Sequence, residues 1–310
     1  MTDKHLSGSS REAMNFIASH WRDLLKMSIL PFAAYLALAI YQIRSMGSLY
    51  RNMGSMVEGQ TINPEFMGAY MRGMALSMLG SLVAMCLMGI LFAQIIRFHK
   101  SGVAQWLITD KAGLSAGLLT LVYGIGIALL TMLAYIAGAI GFAIMAVIVG
   151  LIFGAVFGTS VVAGVLGVIL AIIAVFAFLA GLYWFMCRFL VGLPGVALGS
   201  SPDFFKDMWP LSREETWGLP LRLLLATLVA YVPMMLILVI FIGPGWFDMI
   251  SKMAQPENAN NPNLMFPLMA DMMEGMLPAT AAMTLIYMPF MWFVTLLLGI
   301  AFQRFRGRAA

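Results

Sequence analysis

A run of 75 residues, from Gly113 to Cys187, contains no charged side chain. Soluble domains carry about one charged residue in four, so an uncharged run of this length does not suit a surface in water. The whole chain is 62% hydrophobic and 10% charged, with a mean hydropathy of +0.92. Apolar stretches long enough to cross a hydrocarbon core of about 30 Å recur along it, which predicts a polytopic membrane protein.

The apolar stretches are continuous rather than alternating, which predicts membrane-spanning helices and excludes barrel strands. Four spans are clear, at 24–43, 73–96, 221–242 and 279–302. The uncharged run has room for two more spans, near 113–137 and 161–187, or for three. The predicted fold class is therefore an all-α polytopic membrane protein with six or seven transmembrane helices.

The distribution of Lys and Arg favours six spans. With six spans, both termini and the loops 97–112 and 188–220 share one side, which holds 14 of the 18 Lys and Arg residues. With seven spans the two sides hold 8 and 10, which is no bias. Because cytoplasmic loops are enriched in Lys and Arg, we predict six spans with the N- and C-termini in the cytoplasm, and seven spans remain the alternative.

The segment 138–160 joins the two spans of the uncharged run. The corresponding outer loops, 44–72 and 244–278, are polar, whereas this segment is apolar and rich in Gly. Irregular backbone is tolerated at membrane depth only where protein surrounds it. We therefore expect either a re-entrant segment or extensions of the flanking helices into the outer leaflet.

A pattern that recurs three times divides the chain into similar units. A Trp is followed five residues later by Lys or Arg, and the unit closes on Arg-Phe 76, 82 and 87 residues after the Trp. The pattern predicts one membrane domain over 1–310, with repeat units at about 10–100, 101–190 and 201–308. Each unit would be an interfacial elbow followed by a helical hairpin, and the three hairpins would be related by pseudo-threefold symmetry.

The N-terminal segment has the pattern of an amphipathic helix that leads into the first span. Its polar face carries Arg11, Asn15 and Arg22, and its apolar face carries Ile17 and Trp21. Such a helix lies at the membrane interface.

The repeated residues are candidates for a lipid-headgroup site at the interface. Indole rings lie among acyl chains near the headgroups, and Lys and Arg contact phosphates. The alternative is that they are ordinary membrane anchors. The candidates are Trp21, Lys26, Arg97, Trp106, Lys111, Arg188, Trp217, Arg222 and Arg304.

A second hypothesis is a central cavity between the hairpins. The interiors of the predicted spans carry essentially no charge, which argues against proton-coupled transport. A passive transporter or channel for a lipid or small apolar solute would need polar residues along its path. The candidate lining residues are Thr120, Tyr123, Thr227, Tyr231 and Tyr287.

No constellation of catalytic or metal-binding residues is evident. The three His residues have no metal-ligand spacing, and no phosphate loop, zinc-protease helix or nucleophile elbow occurs. The net charge of +4 is explained by topology rather than by nucleic acid. We therefore predict no enzyme activity, no catalytic residue, no metal, no cofactor and no nucleic-acid partner.

The segment 187–198, with the sequence CRFLVGLPGVAL, is followed by MWPLSR at 208–213 and by Trp217. This pattern resembles the YciC-like bacterial inner-membrane proteins and the related membrane domain of glycerophosphodiester phosphodiesterases. The resemblance implies a six-helix, multi-pass protein of the bacterial inner membrane without an assigned biochemical role. The chain departs from the pattern at Gly199, where an acidic residue is common, and in the apolar segment 138–160.

The function predicted from these observations is a non-enzymatic membrane protein that binds or organises lipid or a membrane partner protein. The expected lipid is an anionic phospholipid on the cytoplasmic side. Replacing Lys26, Lys111 and Arg222 together by Ala would weaken its retention.

Overall fold

The computed structural model describes residues 8–57, 64–104, 111–157, 161–200, 207, 217–255 and 262–309. Secondary structure in these residues is helical, without strands. Trp106 and most of the predicted elbow at 201–216 lie outside the described residues. The helices are α1 (Ser9–Val57), α2 (Pro64–Ser101), α3 (Lys111–Phe157), α4 (Val161–Leu190), α5 (Leu193–Ala197), α6 (Gly218–Met253) and α7 (Pro262–Ala309).

Six of these helices, all except α5, are long and apolar enough to cross a membrane. The prediction of an all-α chain with six candidate spans is thereby confirmed. Helices dominate because every backbone N–H and C=O group must find a partner within the chain when no water is present. Pro64 and Pro262 begin α2 and α7, where the missing N–H of a Pro leaves no helical bond unmade.

The segment 138–160 is helical on both sides of residues 158–160. Helix α3 continues without a break to Phe157, and α4 begins at Val161. Of the two structures expected for this segment, the helical extension is observed and the re-entrant segment is not. At about 1.5 Å per residue α3 is roughly 70 Å long, more than twice the hydrocarbon thickness.

The spanning helices follow one another around a ring. Helix α1 packs most extensively against α7, α7 against α6, and α2 against both α1 and α3. Helix α3 also packs against α4, but α4 and α6 touch only slightly. The Trp292 indole N–H donates a buried hydrogen bond of 2.7 Å to Ser28 Oγ, which ties α7 to α1. The ring therefore has a strong seam between its first and last helices and a weak one between α4 and α6.

The core end is the end of the bundle formed by residues 92–98, 187–197, 219–223 and 296–305. Most of the buried side chains lie there, including Phe189, Val191 and Leu297, each with no exposed surface. The short helix α5 is buried along its whole length and packs against α2, α3 and α7. A Cβ atom on Gly195 would lie 2.8 Å from Phe302 Cζ, so only glycine lets α5 approach α7 this closely.

The open end is the opposite end, formed by residues 129–141 of α3, 165–181 of α4 and 235–250 of α6. Between Val165 and Gly181, the residues whose exposure the structure describes are all exposed except Gly167 and Phe178. Helix α4 therefore presents apolar side chains on every face here, which suits a helix in contact with lipid.

Helix α1 consists of two helices that meet at a kink at His20, where φ is −123°. The first part is the predicted amphipathic helix. It packs on the core end, because Ala13 is fully buried and the Phe16 ring meets the Phe98 ring edge-on at 5.2 Å. Met14 and Trp21 of the predicted apolar face remain about half exposed, at 57% and 49%.

Candidate functional site

The three Arg-Phe pairs adopt a shared arrangement at the core end. Phe98, Phe189 and Phe305 are each less than 5% exposed and belong to the core. The preceding arginines differ in their contacts. The Arg188 guanidinium lies 4.3 Å from the centre of the Trp184 ring, and Arg304 Nη2 donates to Glu12 Oε2 at 2.7 Å. The prediction placed these residues at one end of the bundle, but it did not anticipate these contacts of Arg188 and Arg304 with the protein itself.

Two of the three predicted Trp residues, Trp21 and Trp217, lie at the surface of the core end. Trp21 contacts the Arg22 guanidinium at 5.5 Å, and Trp217 is 51% exposed with its ring 6.3 Å from that of Trp184. Exposed indoles at the ends of apolar helices suit the membrane interface. Lys26 Nζ lies 4.0 Å from Asp23 Oδ1 in an exposed pair.

The next candidates of the headgroup site are Arg97, Trp106 and Lys111. Lys111 begins α3, but its side chain, like the whole of Trp106, is outside the described part of the chain. Arg97 is half-buried near the end of α2. Of the nine predicted residues, seven therefore have side chains that the structure describes.

Arg222 is the predicted residue that lies in a well-formed groove. It is half-buried at the start of α6, and its Nη1 donates to Ser9 Oγ at 3.1 Å. This bond joins α6 to the first turn of α1. It also brings the exposed Arg11 of α1 to the same groove. Two arginines from helices far apart in the sequence thus line the same groove.

The groove has a volume of about 590 Å³ and runs between α1, α6 and α7. Ser10, Arg11 and Met14 of α1 line it beside Arg222, and the lining residues that the structure describes include no acidic side chain. The residues that α6 contributes recur three and four positions apart, so they form one face of that helix. The other lining residues are Leu225, Ala226, Val229, Ala230, Ile286, Phe290 and Phe293.

The groove combines two arginines with an apolar wall. From Arg222 to Ala230 its apolar wall extends about 12 Å along α6, at 1.5 Å per residue. Guanidinium groups bind phosphate through paired, charge-assisted hydrogen bonds. The apolar wall offers no hydrogen bond, so it suits a hydrocarbon chain.

A second cavity, of about 570 Å³, lies between α1, α2, α3 and α7. Thr120 and Tyr287, two of the five residues predicted to line a central cavity, line it. The other three are elsewhere: Tyr123 packs against the core, Tyr231 is 53% exposed, and the Thr227 hydroxyl donates to the Leu223 carbonyl. Helix α7 separates the two cavities, because Ile286 and Phe290 face the groove while Tyr287 and Met291 face the second cavity.

The sequence did not indicate that Arg11 lines the same groove as Arg222. Arg11 belongs to the polar face of the predicted amphipathic helix, but the pattern gives no sign that this face meets α6 and α7. Tyr35 and Gln42 of the second cavity were missed for the same reason. The relevant signal is three-dimensional, since it depends on the contact between the first and last helices of the ring.

Within the part of the chain that the structure describes, no group of three or more His, Cys, Asp or Glu side chains could hold a metal ion. Comparisons with known protein families, with curated proteins and with solved structures find no match for this chain.

Proposed function

We propose that this chain is a non-enzymatic, multi-pass protein of the bacterial inner membrane that binds an anionic phospholipid in the groove between α1, α6 and α7. The phosphate lies between the Arg11 and Arg222 guanidinium groups, and an acyl chain follows the apolar wall toward Val229 and Ile286. The observation that supports this proposal is that two arginines and a wall of apolar side chains line the same groove.

The proposed topology places the core end on the cytoplasmic side. Arg11, Arg188, Arg222 and Arg304 all lie at this end, whereas Arg51 and Lys252 belong to the opposite ends of their helices. The excess of Lys and Arg on cytoplasmic segments supports this orientation, and it puts both termini in the cytoplasm. Anionic headgroups of the cytoplasmic leaflet would then meet the groove directly.

The proposed three-unit organisation has support from packing. Each proposed hairpin, α1 with α2, α3 with α4 and α6 with α7, is in direct contact, and each ends on a buried Phe. In this organisation a lipid in the groove would bridge the first and third units. Binding would therefore hold the ring together at its strong seam, which is an organising role and requires no reaction.

The test replaces Arg11 and Arg222 by Gln, which keeps the hydrogen-bonding side chains and removes both charges. The protein is purified in mild detergent from membranes that contain phosphatidylglycerol and phosphatidylethanolamine, and bound lipid is measured by native mass spectrometry. We expect the retained phosphatidylglycerol to fall about tenfold or more, as loss of two charge-assisted contacts implies. Retained phosphatidylethanolamine should change little.

The matched control is Arg44→Gln with Arg72→Gln, which removes the same charge from two exposed arginines on α1 and α2. These residues do not line the groove, so phosphatidylglycerol retention should equal that of the unmodified protein. Equal retention in both double variants would overturn the proposal. Lys26→Ala alone should also have little effect, since Lys26 pairs with Asp23 away from the groove.

A further inference from the structure

The second cavity differs from the groove in its chemistry as well as its place. It is lined by four helices near the middle of the predicted spans, and the lining residues that the structure describes carry no charge. Its volume of about 570 Å³ falls within the range of about 300–1,000 Å³ that ligand sites occupy. An ionised headgroup would have no counter-charge there, and burial of an unpaired charge is costly.

Most polar groups of this cavity are already satisfied within the protein. The Gln42 amide nitrogen donates to the hydroxyls of Ser77 and Ser81, at 2.8 and 3.3 Å. The Thr120 hydroxyl donates to the Ala116 carbonyl at 2.7 Å. The Gln42 bonds tie α1 to α2 and the Thr120 bond lies within α3, so these donors are already used within the protein.

Tyr35 and Tyr287 are the exception. Both line the cavity, from α1 and α7, and their ring centres are 6.5 Å apart. Neither phenol hydroxyl has a hydrogen-bond partner among the described residues. A phenol that lacks a partner at membrane depth is a donor for any acceptor that enters. The pair thus presents two donors to an otherwise apolar space.

We propose that this cavity binds an uncharged, lipid-soluble molecule whose carbonyl or ester oxygen accepts hydrogen bonds from Tyr35 and Tyr287. The inference does not rest on the proposed phospholipid site, because α7 lies between the two and no lining residue is shared. The apolar part of the ligand contacts Leu38, Met88 and Ile125.

The probe for this site is a photoactivatable diazirine analogue of monoolein, an uncharged single-chain glycerol ester. It is crosslinked to the protein in detergent, and labelled peptides are identified by mass spectrometry. We expect label on α1, α2, α3 and α7 that unlabelled monoolein displaces and that lysophosphatidylglycerol of the same chain does not. Tyr35→Phe with Tyr287→Phe should reduce it about five- to tenfold, since the hydroxyls are lost while the rings remain.

A second variant fills the cavity instead of changing its polarity. Gly124 lines the cavity, and a Cβ added there meets no atom within 4 Å, so Gly124→Leu should fold and exclude the probe. The control is Gly181→Leu on α4, where an added Cβ is equally free but does not face the cavity. Arg11→Gln with Arg222→Gln should leave labelling unchanged. Undiminished labelling in both the Tyr pair and Gly124→Leu, or no displaceable label at all, would overturn the inference.

Discussion

Helices of similar apolar character are packed tightly at the core end and loosely at the open end. At the core end α5 is inserted among α2, α3 and α7, and Phe189 and Leu297 have no exposed surface. At the open end Phe176 is 69% exposed and Phe247 71%. Because lipid solvates apolar side chains as well as protein does, hydrophobicity alone does not draw helices together in a membrane. Close approach at small residues and the insertion of α5 create the difference.

The groove begins where this tight packing gives way. Arg222 lies one turn after the buried Leu219 and directly before the buried Leu223, while Val229 on the same helix is 67% exposed. The tightly packed start of α6 positions the Arg222 guanidinium group. The loosely packed part of α6 that follows leaves room for an acyl chain. The contrast between the two ends therefore explains why a lipid site would lie at their junction.

The largest expected effect comes from truncating one Phe at each end. Phe189→Ala removes a fully buried ring, which costs about 3–5 kcal/mol in well-packed cores. Phe176→Ala removes a ring that is 69% exposed at the open end, and we expect a change within about 0.5 kcal/mol. Thermal unfolding in detergent micelles measures both, and Phe189→Leu serves as a milder variant if Phe189→Ala does not accumulate. Equal loss of thermal stability at both positions would contradict the contrast between the ends.

A smaller effect is expected from adding one methyl group to a glycine at each end. Gly195→Ala places a Cβ 2.8 Å from Phe302 Cζ and 2.9 Å from Ser200 Oγ, and overpacking of this kind costs about 1–3 kcal/mol. Gly181→Ala meets open space and should be neutral or stabilise α4 by up to about 1 kcal/mol. We therefore expect the midpoint of thermal unfolding to fall for Gly195→Ala. For Gly181→Ala the midpoint should stay unchanged or rise. A Gly195→Ala protein as stable as the unmodified chain would refute the tight fit of α5.

The smallest effect is expected from the ion pair that joins α1 to α7 beyond the core. Arg51 pairs with Glu274, and both side chains are more than half exposed, at 52% and 57%. Exposed pairs contribute about 0.2–1 kcal/mol. A double-mutant cycle with Arg51→Gln and Glu274→Gln should give a coupling energy in this range that declines as salt is added. A coupling energy of several kcal/mol would contradict the contrast between the tightly packed core end and the loosely packed region beyond it.

Much of the fold could be predicted because membrane insertion imposes strict patterns on a sequence. Apolar length gave the six candidate spans, and the Arg-Phe repeat identified Phe98, Phe189 and Phe305, which are all buried. Apolar composition could not distinguish a re-entrant segment from the long extension of α3, since both need the same residues. The continuous helix to Phe157 resolved that choice.

The candidate site was predictable only in part. Arg222 was identified because an interface favours a basic residue near a Trp, a rule that acts within one segment. That Arg11 lines the same groove depends on the packing of α1 against α7, which neither hydropathy nor spacing encodes. For the same reason Thr120 and Tyr287 were found for the second cavity, but Tyr35, on the opposite wall, was not.

The central claim is that the groove between α1, α6 and α7 holds an anionic phospholipid. The most direct measurement is a structure of the full chain in nanodiscs that contain phosphatidylglycerol and phosphatidylethanolamine. The account predicts density for a phosphate within about 3 Å of the Arg11 and Arg222 guanidinium groups, continuing as a chain past Val229 to Ile286. An empty groove, or density with no phosphate near the two arginines, would contradict it.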